Sequence, residues 1–240
     1  MTTSAIPALG VKPPRQRRSA ATLADILVAT MHLLEEKELQ AISVADIAGR
    51  AGVSVGTIYT RFADKHALLA YVIVELLKKQ VAAFRTLFEE SAWKGVSLER
   101  RILHFARLLV TSANMQPGVQ RAITIRTVLG QGAPTDEERT LRDESRALAE
   151  RWLLACRAEI NNPRPEQAVR FALSLAFWGV HNLVLFRTDP NGLLGDNLAE
   201  EIARAMLAYL QCDVSLPANA PPLRWPGAGF TEFPNLKSGP

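Results

Sequence analysis

Residues 43–62 read Ser-Val-Ala-Asp-Ile-Ala-Gly-Arg-Ala-Gly-Val-Ser-Val-Gly-Thr-Ile-Tyr-Thr-Arg-Phe. The stretch predicts two short helices around a tight turn. The Ser43 hydroxyl is placed to accept a free first-turn N–H, and Asp46 adds a carboxylate where the helix dipole favours one. Ile47, Ala48 and Ala51 form a narrow apolar stripe on the first helix. Gly52 follows, a residue that ends a helix at positive φ without steric cost. Ser54 then caps a second helix with Val55, Ile58 and Phe62 at inward spacing. Thr57, Tyr59, Thr60 and Arg61 fall on its other faces. Two helices around a glycine-containing turn, with hydroxyls and an arginine facing out, read as a helix-turn-helix.

At these residues the sequence resembles the TetR family of bacterial transcriptional regulators. Ser43-Val44, Ile47-Ala48, Ala51-Gly52-Val53-Ser54, Gly56, Tyr59, Phe62, Asp64-Lys65 and Leu68-Leu69 all fall at that family's spacing. The resemblance covers residues 19–71; beyond them only an all-helical layout remains to compare. One departure is Glu38, where the family usually has a glycine ending its first helix. Glutamate tolerates positive φ poorly, so the first helix should end differently here.

Working outward, residues 1–18 carry Lys12, Arg15, Arg17 and Arg18 with no acid and three prolines. They read as a basic flexible arm that clamps phosphates or the minor groove. Residues 19–66 form the helix-turn-helix domain, with a first helix over 22–37. Residues 67–212 read as a helical ligand-binding and dimerisation domain, and 213–240 as a proline-rich tail. The fourth helix is capped by Asp64 and is apolar on nearly every side from Leu68 to Leu77. A helix of that kind is buried all round, so it should touch both domains. Further helices are expected over 97–112, 119–129, 135–160, 165–186 and 197–211. A Gly-Gln-Gly-Ala-Pro loop at 130–134 and an Asp-Pro-Asn-Gly turn at 189–192 separate some of them. The fold class is therefore all-α, with about nine helices.

Composition narrows the functions. The chain has 240 residues, nearly half of them apolar, and a mild net charge of +4. Cys156 and Cys212 are its only cysteines, too few for a disulfide framework, so a reducing cytoplasm is expected, with the protein on the bacterial nucleoid. The most apolar stretch, 170–187, is short for a membrane span and contains Ser174, His181 and Asn182. His32, His66, His104 and His181 show no metal-ligand spacing, and no nucleophile elbow or phosphate-cradling glycine loop is present. The chain is expected to be no enzyme, with no cofactor and no metal.

The expected DNA-facing set is Arg17, Arg18, Ser43, Ser54, Val55, Gly56, Thr57, Tyr59, Thr60, Arg61 and Lys65. Ser43 and Lys65 stand at helix N-termini, where free N–H groups and charge attract phosphates. For a small-molecule pocket, mixed polarity inside apolar helices singles out His104, Phe105, Trp152, Trp178, His181 and Asn182. The resemblance implies a homodimer through predicted helices 8 and 9 (165–186 and 197–211), a palindromic operator in double-stranded DNA, and a small-molecule effector that moves the fourth helix. A ridge of small residues, Ala172, Ala176 and Gly179, marks the expected dimer contact. The role expected is a repressor released by a small apolar or aromatic molecule. Two other readings are a helical-bundle enzyme or carrier that keeps the helix-turn-helix only as packing, and a constitutive DNA-binding factor without an inducer.

Overall fold

Leu23, Ile26, Ala29, Thr30, Leu33 and Leu34 recur at helical spacing and are buried along one face of α1 (Arg17–Glu36). The computed structural model describes residues 17–128, 134–186 and 197–212. The basic arm up to residue 16, the side chains of Arg17 and Arg18, most of the 130–134 loop, the 189–192 turn and the 213–240 tail lie outside the described residues. Ten α-helices and two 3₁₀ turns make up the described elements, and no strand occurs among them.

After α1 comes a 3₁₀ turn, Leu39–Ala41, then α2 (Val44–Ala51), α3 (Val55–Tyr59) and α4 (Lys65–Leu87). The first helix starts at Arg17, inside the stretch read as arm. Beyond its end, Glu38 takes an extended rather than a left-handed conformation, with φ −64° and ψ 147°. The second half follows as α5 (Glu90–Trp93), α6 (Leu98–Met115), α7 (Pro117–Val128), α8 (Asp136–Leu154), a 3₁₀ turn at Arg157–Glu159, α9 (Pro165–Phe186) and α10 (Leu198–Gln211). Four residues are too few to show a period, which is why α5 is invisible to pattern reading.

The expected helix over 135–160 stops at Leu154, and Arg101 explains the stop. Its guanidinium is buried and donates to the Trp152 carbonyl at 2.6 Å, the Trp93 carbonyl at 2.8 Å and both Glu90 oxygens at 2.8 and 3.1 Å. In a continuing helix the Trp152 carbonyl would accept from the Cys156 N–H. Here that N–H goes instead to Leu153 at 3.0 Å, the tighter bond that closes a helix.

Two apolar clusters form. One gathers Ile26, Ile47, Ile58, Phe62 and the Leu68–Val74 run of α4. The other gathers Phe88, Leu98, Ile102, Phe105, Trp152, Val180 and Met206. Helix α4 runs through both, since Leu77 belongs to the first and Phe84 to the second. A second connection was not foreseen. Val119 and Ala122 of α7 sit in the first cluster, and α7 packs on α1. The helices touch so closely that a Cβ at Gly118 would lie 2.1 Å from the Leu34 carbonyl oxygen. There the Glu35 carboxylate accepts the Gly118 and Val119 N–H groups at 2.9 and 3.0 Å, satisfying free donors at the start of α7.

Candidate nucleic-acid interface and effector cavity

Helix α2 opens with a complete capping box. Ser43 Oγ accepts the Asp46 N–H at 3.0 Å, and Asp46 Oδ2 accepts the Ser43 N–H at 2.9 Å. These bonds hold the Asp46 carboxyl below the usual carboxylate range, with the Ser43 backbone bond the largest cause. Gly52 closes the helix in the left-handed region, at φ 66° and ψ 31°, where a side chain would be strained. Ser54 Oγ then accepts the Thr57 N–H at 3.1 Å and caps α3. A five-residue helix is not stable alone. Ile58 and Phe62, both buried, tie it to α1, α2 and α4, each burial being worth about 1.5–3 kcal/mol. Ser43→Ala should cost about 1 kcal/mol through the lost cap. Urea unfolding checks this, and an unchanged midpoint would show that the box contributes nothing.

Folding around Ile58 and Phe62 turns the rest of α3 outward. Tyr59 is 55% exposed, and Ser54, Val55, Gly56 and Thr60 are exposed beside it. Val55 therefore does not point inward, as its spacing suggested. Thr57 is half-buried; its hydroxyl shares a 2.9 Å hydrogen bond with Ser54 Oγ, and Thr60 Oγ1 donates to the Thr57 carbonyl at 2.8 Å. Two cations are engaged inside the protein. Arg61 Nη2 donates to the Ser19 Oγ and carbonyl at 2.7 and 3.1 Å, fixing the start of α1. Lys65 Nζ donates to the Leu39 and Ile42 carbonyls at 2.7 and 2.9 Å, fixing the 3₁₀ turn to α4.

The second half holds a cavity with two lobes of about 250 and 310 Å³. Both share Leu77, Gln80 and Phe84 of α4, Leu109 of α6, Arg142 of α8 and Phe177 and Trp178 of α9. The smaller lobe adds Phe105, Ser145 and Arg146; the larger reaches Gln120, Ile123 and Thr124 of α7 and His181. Of the pocket residues read from sequence, the cavity brings together Phe105, Trp178 and His181. Burial is the main reason the His181 ring is held below its ordinary value, while the Phe177 carbonyl at 2.8 Å pulls the other way.

The other three residues are corrected. Trp152 is buried in the core, stacked on Phe88 with centroids 4.4 Å apart. His104 lies against Trp93 at 4.9 Å in the same aromatic group, and burial lowers its pKa. Asn182 is exposed and donates to the Trp178 carbonyl at 2.8 Å. Pattern reading missed Arg142. A usable signal was present: Glu138, Arg142, Ser145, Ala149 and Trp152 recur at the spacing of one helical face, and the last two are core types.

The small-residue ridge is also corrected. Ala172 and Ala176 are 1% and 4% exposed, covered within the chain. The face of α9 left open carries Phe171, Leu175 and Trp178, which are 51%, 51% and 49% exposed, and Tyr209 of α10 lies with its ring 5.2 Å from that of Phe171. Helix α9 is apolar on two faces, and spacing alone does not say which one the chain covers.

Residues 26–72 match the family model of bacterial regulatory proteins, tetR family. Residues 26–72 form a TetR-family DNA-binding domain. An HTH-type transcriptional regulator of Mycobacterium tuberculosis is 29% identical over 165 residues, 69% of this chain and 71% of that protein. The regulator EthR of Mycolicibacterium smegmatis is 33% identical over 47% of this chain and 53% of its own. The solved structure of a TetR-family regulator from Mesorhizobium loti superposes with a TM-score of 0.59 at 19% identity, covering 82% of this chain and 96% of that one. One from Rhodococcus gives 0.61 at 16% identity, covering 80% and 98%. As a TetR-family transcriptional regulator the chain binds DNA through the helix-turn-helix of α2 and α3. No helix among the described residues is long and apolar enough to cross a membrane.

Proposed function

We propose that this TetR-family regulator is a homodimeric repressor, acting in the cytoplasm, which leaves a palindromic operator when a small molecule with an apolar body enters the cavity. The observation that carries this reading is the make-up of the cavity wall. Helices α4 and α7 both line the cavity, and both run into the apolar cluster under α3. A molecule that fits better when these helices are displaced must weaken DNA binding by the same free energy by which DNA weakens its own binding. Coupling of this kind is typically about 1–3 kcal/mol.

On DNA, α3 presents Ser54, Val55, Gly56, Thr57, Tyr59 and Thr60 to the major groove. Ser43 opens α2 toward a phosphate, and Arg17 and Arg18 begin α1 beside the duplex. Arg61 and Lys65 act through position, holding α1 and the 3₁₀ turn against the reading head. Residues 19–66 with the first turns of α4 form the DNA-binding domain, and the helices up to 212 hold effector and partner. Two-fold readers need recognition helices about 34–36 Å apart, so the dimer contact sets the register. The open face of α9 and α10 (the eighth and ninth helices expected from sequence) supplies it through Phe171, Leu175, Trp178 and Tyr209.

The test is Leu175→Glu. Light scattering should show a monomer, because a charge would be buried unpaired at the contact. Affinity for an operator selected from random DNA should fall at least a hundredfold, since the half-sites then bind separately. A variant that stays a dimer with wild-type operator affinity would refute this interface and the two-fold reading that depends on it.

A further inference from the structure

Among the described lining residues, Arg142 is the one whose charged donors are left open to a ligand. Its Nε and Nη2 atoms are buried and have no hydrogen-bond partner. These two atoms form one edge of the guanidinium, with parallel N–H groups that match the two oxygens of a carboxylate. The nearest acid is Glu138, whose Oε2 lies 4.0 Å from Nη2, beyond hydrogen-bond reach. Both Glu138 oxygens already accept from Arg126 Nη1 at 3.0 Å. Arg142 thus meets a carboxylate whose oxygens are already hydrogen-bonded elsewhere, and its own charge lacks a hydrogen-bonded anion.

The surroundings do not offset it. Arg142 belongs to both lobes, and among the described residues the only other charged lining residue is Arg146, which pairs with Asp143 at 3.0 Å. Among the described residues, no aspartate or glutamate lines either lobe. Burial, the largest cause, and repulsion from Arg126 and Arg146 pull the Arg142 guanidinium below its ordinary value, while Glu138 opposes them. Buried donors without an acceptor are costly, more so on a charged group, so the cavity favours an occupant that brings an anionic acceptor. Phe84, Leu109, Phe177 and Trp178 supply apolar wall on the same cavity.

We propose that the effector is an amphipathic carboxylate, its head bound side-on by Arg142 and its apolar body lying along α4 and α9. This deepens the effector reading above and rests on it for the identity of the site, but direct binding tests it without DNA. The probes are decanoate, decanol, decylamine and decyl phosphate, titrated by calorimetry against the full chain. Decanoate should bind at least about tenfold tighter than decanol, as a charge-assisted bidentate pair requires, and decylamine weakest. In Arg142→Gln the preference for decanoate over decanol should vanish while decanol binding persists. The comparison in wild-type protein stands even if that variant fails to fold. Equal affinity for decanoate and decanol, absence of decanoate binding, or tighter binding of the phosphate would overturn the carboxylate assignment. Decanoate binding that leaves operator affinity unchanged would uphold the assignment and refute the coupling instead.

Discussion

Glu138→Ala is expected to destabilise the fold by about 3–5 kcal/mol, the loss typical when one partner of a buried ion pair is removed. Glu138 is fully buried and accepts from Arg126 through both oxygens, with Arg142 4.0 Å away. Its removal takes the hydrogen-bonded carboxylate from buried Arg126 and the nearby anion from partly buried Arg142. Its position at the start of α8 adds a second loss, since a carboxylate in the first turn favours the helix dipole. Urea unfolding followed by circular dichroism measures the effect. Glu138→Gln keeps an acceptor and should fall between wild type and alanine. A loss under about 1 kcal/mol for the alanine variant would show that the three charges are solvated, and that Arg142 is not short of an anion.

Gly118→Ala carries the second large effect, about 3 kcal/mol, at the upper end of overpacking costs. The added Cβ would lie 2.1 Å from the Leu34 oxygen and 2.7 Å from Glu35 Cα. Both neighbours are backbone of α1, so no side chain is able to swing aside. Helix α7 must move off by about 1 Å to restore ordinary contact. The same movement stretches the bonds from the Gly118 and Val119 N–H groups to Glu35. Stability should fall, and operator affinity should fall with it, because α1 carries the core beneath α3. Gly49→Ala is the control: its Cβ would meet nothing within 4 Å, and alanine should stabilise α2 by up to about 1 kcal/mol. Equal stability for the two variants would mean that α1 and α7 are loosely joined.

The helix-turn-helix was legible because its signals are local. Ser43 with Asp46, Gly52, and Ser54 with Thr57 each act within one turn of chain, and each does so in the structure. The roles of Arg61 and Lys65 were less legible. A cation on an outer face looks free in sequence, and only the fold brings Ser19 to Arg61 and the Leu39 and Ile42 carbonyls to Lys65. The cavity was harder still. Its walls come from five helices separated by up to a hundred residues, and its charged residue sits in a run rich in arginine and glutamate that reads as solvated surface. Trp152 and His104 show the converse: aromatic and polar types suggest a pocket, yet packing commits them to the core. For α9 the period located the helix, but two apolar faces left its orientation open until Ala172 and Ala176 were seen covered and Leu175 bare.

The central claim is that α3 reads DNA as one of a two-fold pair. Selection from a random double-stranded pool, followed by affinity measurement at fixed salt, tests it most directly. The wild-type chain should enrich an inverted repeat with half-sites one helical turn apart. Tyr59→Ala, which removes the most exposed aromatic of α3 without touching the core, should bind that repeat about 5- to 150-fold more weakly, an effect of about 1–3 kcal/mol. Enrichment of no symmetric sequence, with Tyr59→Ala and wild type binding DNA equally, would contradict the claim.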